Sequence, residues 1–66
     1  MIVFSFSSLS SLPSKGDTVK FDGRDYQLTE QPVKDTDLQR QPYRATARFT
    51  YTFGCIEKIF YFTVDA

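Results

Sequence analysis

Several residue types that carry chemistry are missing or rare in this chain of 66 residues. It has no histidine, no tryptophan and a single cysteine, Cys55. One cysteine excludes an internal disulfide and a Cys-based zinc site, and without histidine the usual metal-binding frameworks are also absent. We therefore expect neither a metal nor a cofactor.

Neither sign of charge is in excess, because eight Lys and Arg balance eight Asp and Glu. Generic electrostatic capture of nucleic acid or of an anionic membrane is therefore not indicated. No segment approaches the roughly 20 apolar residues that span a bilayer, and residues 1–6 lack the basic start of a secretory signal. A lone thiol is typical of a reducing compartment, so we expect a cytoplasmic protein with no membrane partner.

Aromatic residues are abundant, with seven Phe and four Tyr. A chain this short buries only about 60% of its unfolded surface, and large rings compensate for that because each removes much area from water. We expect one β domain over residues 1–66.

The last third of the chain alternates apolar and polar residues, which is the period of a half-buried β-strand. The side chains expected on a common inner face are Tyr43, Ala45, Ala47, Phe49, Tyr51, Phe53, Ile56, Lys58, Phe60, Phe62 and Val64. The pattern predicts a long hairpin with no helix between residues 44 and 64.

The turn of this hairpin is expected at Gly54-Cys55, because Gly at the first loop position favours a type II′ turn. That turn would place Phe49 opposite Phe60. On the outer face it would pair Arg48 with Tyr61 and Arg44 with Asp65, which supplies a cation–π contact and an ion pair.

A first strand is expected at residues 2–6, and a second hairpin brackets Asp22-Gly23. A two-residue type I′ loop there would pair Lys20 with Asp25. A four-residue loop would pair Phe21 with Tyr26 instead, and it is preferred because it aligns apolar residues.

The remaining segments are expected to be irregular. Five serines, a proline and a glycine make residues 7–16 a loop, in which Leu9 and Leu12 serve as anchors rather than as a helical turn. In the stretch 30–42, Thr36 and Gln39 have the spacing of a capping box, which allows at most one short helical turn near 36–40.

These elements favour an all-β fold: a small five-stranded antiparallel sheet curled into an SH3-like or OB-like partial barrel. The segment Lys15–Val19, followed by Asp22-Gly23, is similar to strand entries in many SH3-like barrels. It is short and consists mostly of turn residues, so it assigns no family. The alternative is an open meander whose outer face packs on a partner.

No catalytic residues are predicted, and we do not expect an enzyme. Asp22 and Asp25 flank a turn, as Asp35 and Asp37 do, and turn aspartates usually bond their own backbone. Cys55 at a hairpin tip has no neighbouring base that would make it a nucleophile.

A protein interface is the favoured function, with the partner either another protein or a second copy. Val3, Ile59 and Tyr61 are expected together on the outer face, with Arg48 beside them, a composition typical of interfaces. Unpaired sheet edges offer a second route. Small domains of this kind are frequent in bacteria and phages, which suggests an accessory protein by association only.

Binding of single-stranded nucleic acid is the alternative. Arg40, Arg44 and Arg48 could follow a phosphate backbone while Tyr61 stacks on a base. It ranks second because the net charge is zero and because both outer arginines have intramolecular partners in the predicted register.

Overall fold

The computed structural model describes residues 1–65, and in that range the chain forms one β-sheet curled into a half-barrel. The elements in chain order are β1 (Ile2–Phe6), a 3₁₀ turn (Leu9–Ser11), β2 (Thr18–Phe21), β3 (Arg24–Leu28), β4 (Val33–Lys34), β5 (Tyr43–Tyr51) and β6 (Gly54–Val64). The strand order is β1-β6-β5-β3-β2, and β4 also pairs with β5. The all-β partial barrel predicted from the sequence is confirmed.

The sheet has six strands rather than five, and it is mixed rather than purely antiparallel. β1 runs parallel to β6, whereas the other pairings are antiparallel. The direction of β1 is determined by a partner at the other end of the chain, so no local turn signal reveals it. β4 was missed because its two residues show no alternation and follow Pro32 directly.

The turn between β2 and β3 is a two-residue loop, so the preferred four-residue loop is wrong. Asp22 (φ 52°) and Gly23 (φ 74°) both have left-handed backbones, as a type I′ turn requires. Lys20 consequently lies opposite Asp25.

The loop of the long hairpin consists of Thr52 and Phe53, not of Gly54-Cys55. Tyr51 pairs with Gly54, which is the first residue of β6. Gly54 has a φ of 154°, a value that residues with a side chain rarely adopt. The backbone therefore favours glycine at position 54, which is the first residue after the two-residue loop rather than a residue of the loop.

The register of β5 and β6 differs by four residues from the predicted one. Phe49 lies opposite Ile56, and Phe60 lies opposite Ala45. Apart from glycine, alanine is the smallest residue that can lie opposite the Phe60 ring. Because four is an even number, the inner and outer faces are unchanged. The face assignment is confirmed and the cross-strand partners are wrong.

The core lies on the inner face, centred on the ring of Phe60. That ring makes edge-to-face contacts with Phe4, Phe21 and Tyr26 at centroid distances of 5.2, 5.7 and 5.3 Å. The fully buried apolar residues are Tyr26, Leu28, Ala45, Ala47, Phe60 and Phe62. Rings from β1 and β2 therefore meet over β6 and curl the sheet around them.

The short helical turn that the sequence allows near residues 36–40 does not form. Arg40 (φ 68°) and Gln41 (φ 43°) have left-handed backbones, which a right-handed helix cannot include. The described residues instead have their 3₁₀ turn at Leu9–Ser11, where a loop was expected. Leu12, just after it, packs against the core.

The long hairpin extends beyond the rest of the sheet. The β3 pairing with β5 ends at Arg48, and the β1 pairing with β6 begins at Phe60. Residues 49–56 thus form a two-stranded ribbon, because Glu57 and Lys58 still lie opposite the part of β5 that pairs with β3. At its end Tyr51 is 44% exposed and Phe53 is 92% exposed, so their predicted place in the core is wrong.

Candidate interaction surface

An apolar patch lies on the outer face where β1 meets β6. Val3 is the cross-strand partner of Tyr61, and Ile59 is two residues from Tyr61 on the same face. Val3 is 47% exposed and Ile59 is 50% exposed, while Tyr61 is partly exposed. We call these three residues the outer patch.

The strand next to β6 supplies one side of the rim of this patch. Arg44 lies opposite Tyr61, and Thr46 lies opposite Ile59. The backbone N–H and the hydroxyl of Thr46 donate hydrogen bonds of 2.9 and 3.1 Å to Glu30 Oε1. The rim is therefore polar and held in place, as at the periphery of protein interfaces.

The two outer arginines form ion pairs, but not with the partners predicted from the sequence. Arg44 Nη1 lies 3.6 Å from Asp35 Oδ2, and Arg48 Nη2 lies 3.7 Å from Glu57 Oε2. The predicted Arg44–Asp65 and Arg48–Tyr61 pairs were wrong because the register differs by four residues. The Arg48–Glu57 pair is exposed on both sides and contributes about 0–1 kcal/mol, whereas the Asp35 side chain is mostly buried beside Arg44.

Arg48 is adjacent to the outer patch rather than part of it. It lies on the outer face of β5, two residues beyond Thr46 and opposite Glu57. The four residues predicted for a protein interface, Val3, Ile59, Tyr61 and Arg48, thus share one face of the sheet.

The four residues of the nucleic-acid alternative are not brought together. Arg44, Arg48 and Tyr61 lie on the outer face, whereas Arg40 belongs to the loop before β5. Arg40 lines a shallow cavity of about 270 Å³ beside Tyr43 and Val64, whose side chains belong to the inner face. A continuous basic path along these residues is absent from the described part of the chain.

The aspartates considered for catalysis have structural surroundings. Asp22 occupies the type I′ turn, and Asp25 lies opposite Lys20 in the sheet. Asp35 Oδ1 accepts a 3.0 Å hydrogen bond from the backbone N–H of Asp37. Within residues 1–65, no group of three or more potential metal-ligating side chains lies close enough to hold an ion.

Cys55 is exposed and lies on the ribbon opposite Thr50.

Within residues 1–65, no helix has the length and apolar character needed to cross a membrane.

The ribbon carries an aromatic arrangement that sequence reasoning assigned to the core. The rings of Phe49 and Tyr51 stack at 6.1 Å with an interplanar angle of 17°, and the Arg24 guanidinium lies 5.3 Å from the centre of Phe49. The sequence signal for this exposure is the length of the alternating segments. β5 and β6 have 9 and 11 residues, whereas the flanking strands β1 and β3 have five each and cannot cover them fully.

Comparison with known proteins gives no assignment. No protein-family model matches the chain, and no curated protein and no solved structure matches it either. A function for this chain therefore has to follow from its own geometry.

Proposed function

We propose that this chain is a small non-catalytic domain that binds another protein through the outer patch. The supporting observation is that Val3 and Ile59, each about half exposed, adjoin Tyr61 on the outer face of the sheet. Aliphatic and aromatic side chains surrounded by Thr and Arg have the composition of an interface centre with a polar rim.

The rim fits this role because its two arginines are paired with carboxylates while they remain about half exposed. Arg44 and Arg48 each keep 47% of their side chains exposed beside a carboxylate. A partner can therefore approach the patch without removing an unpaired charge from water, a step that would cost several kcal/mol.

Two further features belong to this proposal. A cytoplasmic location is part of the proposal, and the exposed thiol of Cys55 supports it because cysteines stay reduced in that compartment. The aspartates described above serve turns and strand pairs, which supports a binding role rather than a catalytic one.

The test is to place a charge in the centre of the patch. Ile59→Asp should remove binding, because a carboxylate at this position would have to be desolvated in the complex. Thr50→Asp is the matched control, since Thr50 is exposed on the same face but lies on the ribbon. Size-exclusion chromatography with light scattering measures association, and circular dichroism checks folding.

The proposal predicts that Ile59→Asp and Tyr61→Ala lose association while Thr50→Asp keeps it, with all three variants folded. Association that is equally strong in the Ile59→Asp protein would contradict binding through this face.

Single-stranded nucleic acid is the second candidate ligand, because Arg44 lies directly opposite Tyr61. A basic side chain beside an aromatic ring suits a phosphate and its stacked base. It ranks second because Arg44 and Arg48 already have carboxylate partners and Arg40 lies elsewhere. Affinity for single strands should fall steeply with salt and drop on Arg44→Ala; a flat titration at low salt removes this candidate.

A further inference from the structure

The outer edge of β1 lacks the features that usually protect an edge strand. Within residues 1–65, β1 pairs only with β6, and its five pairs run without a bulge from Ile2–Phe60 to Phe6–Val64. Its sequence has no charged residue and no proline. Natural sheets commonly protect such edges with Lys, Pro or bulges, because unpaired N–H and C=O groups accept another strand.

The opposite edge of the sheet differs in this respect. β2 carries Lys20 within the strand, and Asp22 follows directly after it. A lysine that points outward from an edge strand discourages edge-to-edge pairing. Of the two end strands β1 and β2, β1 is therefore the one without a charged side chain to discourage pairing.

The outer patch reaches this open edge. Val3 lies on the edge strand itself, and Tyr61 lies next to it on β6, followed across the sheet by Arg44. Whatever binds the patch thus also meets a row of unpaired backbone groups. In the free chain water satisfies these groups, and among proteins an extended backbone matches such a row along its whole length.

We propose that a second copy of this chain docks on β1, edge to edge and antiparallel, about a two-fold axis that passes beside Val3. This inference rests on the proposed function and names its partner. The two outer patches then join into one apolar row across the axis, with Val3 next to Val3 of the second copy. An isologous contact of this kind is the commonest way in which identical chains associate.

Charge favours the second copy as the occupant. The formal net charge of the chain is zero, so two copies do not repel each other at long range. β1 has no charged side chain, so antiparallel pairing with itself places no like charges opposite one another.

The position of the axis follows from the loop after β1. Leu12 and Pro13 line one cleft together with Phe6 and Val19, so this loop lies over the Phe6 end of the edge. The Ile2 end is not covered by this loop. Pairing centred on Val3 keeps the second copy farther from the loop than pairing centred on Phe4 would.

The first experiment compares the two edges by light scattering over a range of concentrations. Wild type should approach twice the chain mass as concentration rises. Val3→Lys should weaken the dimer roughly tenfold or more, because two lysines then face each other across the axis. Thr18→Lys is the matched control, since Thr18 is also exposed on an edge strand, and it should leave the dimer unchanged.

The second experiment tests the register and does not depend on how well the lysine variant folds. In a Cys55→Ser background, Val3→Cys should form an intermolecular disulfide on mild oxidation, since facing residues in antiparallel strands have Cα atoms about 5 Å apart and a disulfide spans about 4.4–6.8 Å. Ser5→Cys is on the same face of β1, but its two copies would lie roughly 14 Å apart at about 3.4 Å per residue, so it should not cross-link.

The outcomes separate this inference from the proposed function. A monomer at every concentration overturns the pairing of β1, while the outer patch can still bind a different protein. A dimer that Ile59→Asp abolishes, but that survives Val3→Lys and gives no Val3→Cys disulfide, also overturns it and keeps the proposed function. A dimer that survives all of these substitutions contradicts both.

Discussion

The body of the sheet and the ribbon are built from the same two strands, yet they bury their rings to opposite extents. Phe60 in the body is fully buried, whereas Phe53 at the end of the ribbon is 92% exposed. In the body, β1 and β3 flank the two long strands and carry rings over the inner face. In the ribbon, Phe49 still contacts Tyr26 of β3 at 5.8 Å, but Tyr51 and Phe53 lie beyond the flanking strands and are exposed. The alternation of residues thus determines which side a ring faces, and the neighbouring strands determine whether it is buried.

The strongest test of this comparison is Phe60→Ala. Replacing a buried Phe by Ala typically lowers the free energy of unfolding by about 3–5 kcal/mol, because the burial of the ring is lost and a cavity remains. At about 0.05–0.15 kcal/mol per residue, a chain this short has roughly 3–10 kcal/mol of unfolding free energy in total. We expect a large fall in the urea midpoint by circular dichroism; a loss under 1 kcal/mol would show that Phe60 is not the centre of the core.

Gly54→Ala, at the junction of the loop and β6, should have an intermediate effect on the free energy of unfolding. A Cβ at this position meets only Tyr51 Oη at 3.9 Å, so space is available and the cost is backbone strain at φ 154°. We expect a loss of about 1–3 kcal/mol in unfolding free energy. Thr52→Ala in the adjacent loop is the control and should change it by less than about 0.5 kcal/mol. Equal effects would contradict the placement of Gly54 within β6.

Phe53→Ser should have the smallest effect, although it removes the same kind of ring as Phe60→Ala. An exposed ring contributes little to folding, so we expect a change within about 0.5 kcal/mol. Equilibrium unfolding in urea measures it beside the Phe60→Ala protein. If the two substitutions were equally costly, the ribbon would have to fold back over the body.

The sequence predicts the faces of the strands well and their partners poorly, for a physical reason. Period-two alternation places Phe49 and Phe60 on the inner side in any register that differs by an even number of residues. A four-residue shift therefore leaves the core intact while it changes every neighbour, including those of Arg44 and Arg48.

For the outer patch, too, the sequence predicts the face on which its residues lie. Val3, Ile59 and Tyr61 follow from alternation once β1 joins β6, and the structure places them together. The parallel direction of β1 was not predictable, because it depends on contacts between the two ends of the chain rather than on a turn. The exposure of Tyr51 and Phe53 depends on where β1 and β3 end, which no local pattern contains.

The most direct test of the proposed docking surface is hydrogen–deuterium exchange in dilute and in concentrated protein. β1 is the strand whose free edge a second copy would cover, whereas β2 and the ribbon would stay in water. We predict that concentration slows amide exchange in residues 2–5 and leaves residues 18–21 and 49–56 unchanged. Slower exchange in β2 or the ribbon instead, or no change in β1, would contradict it.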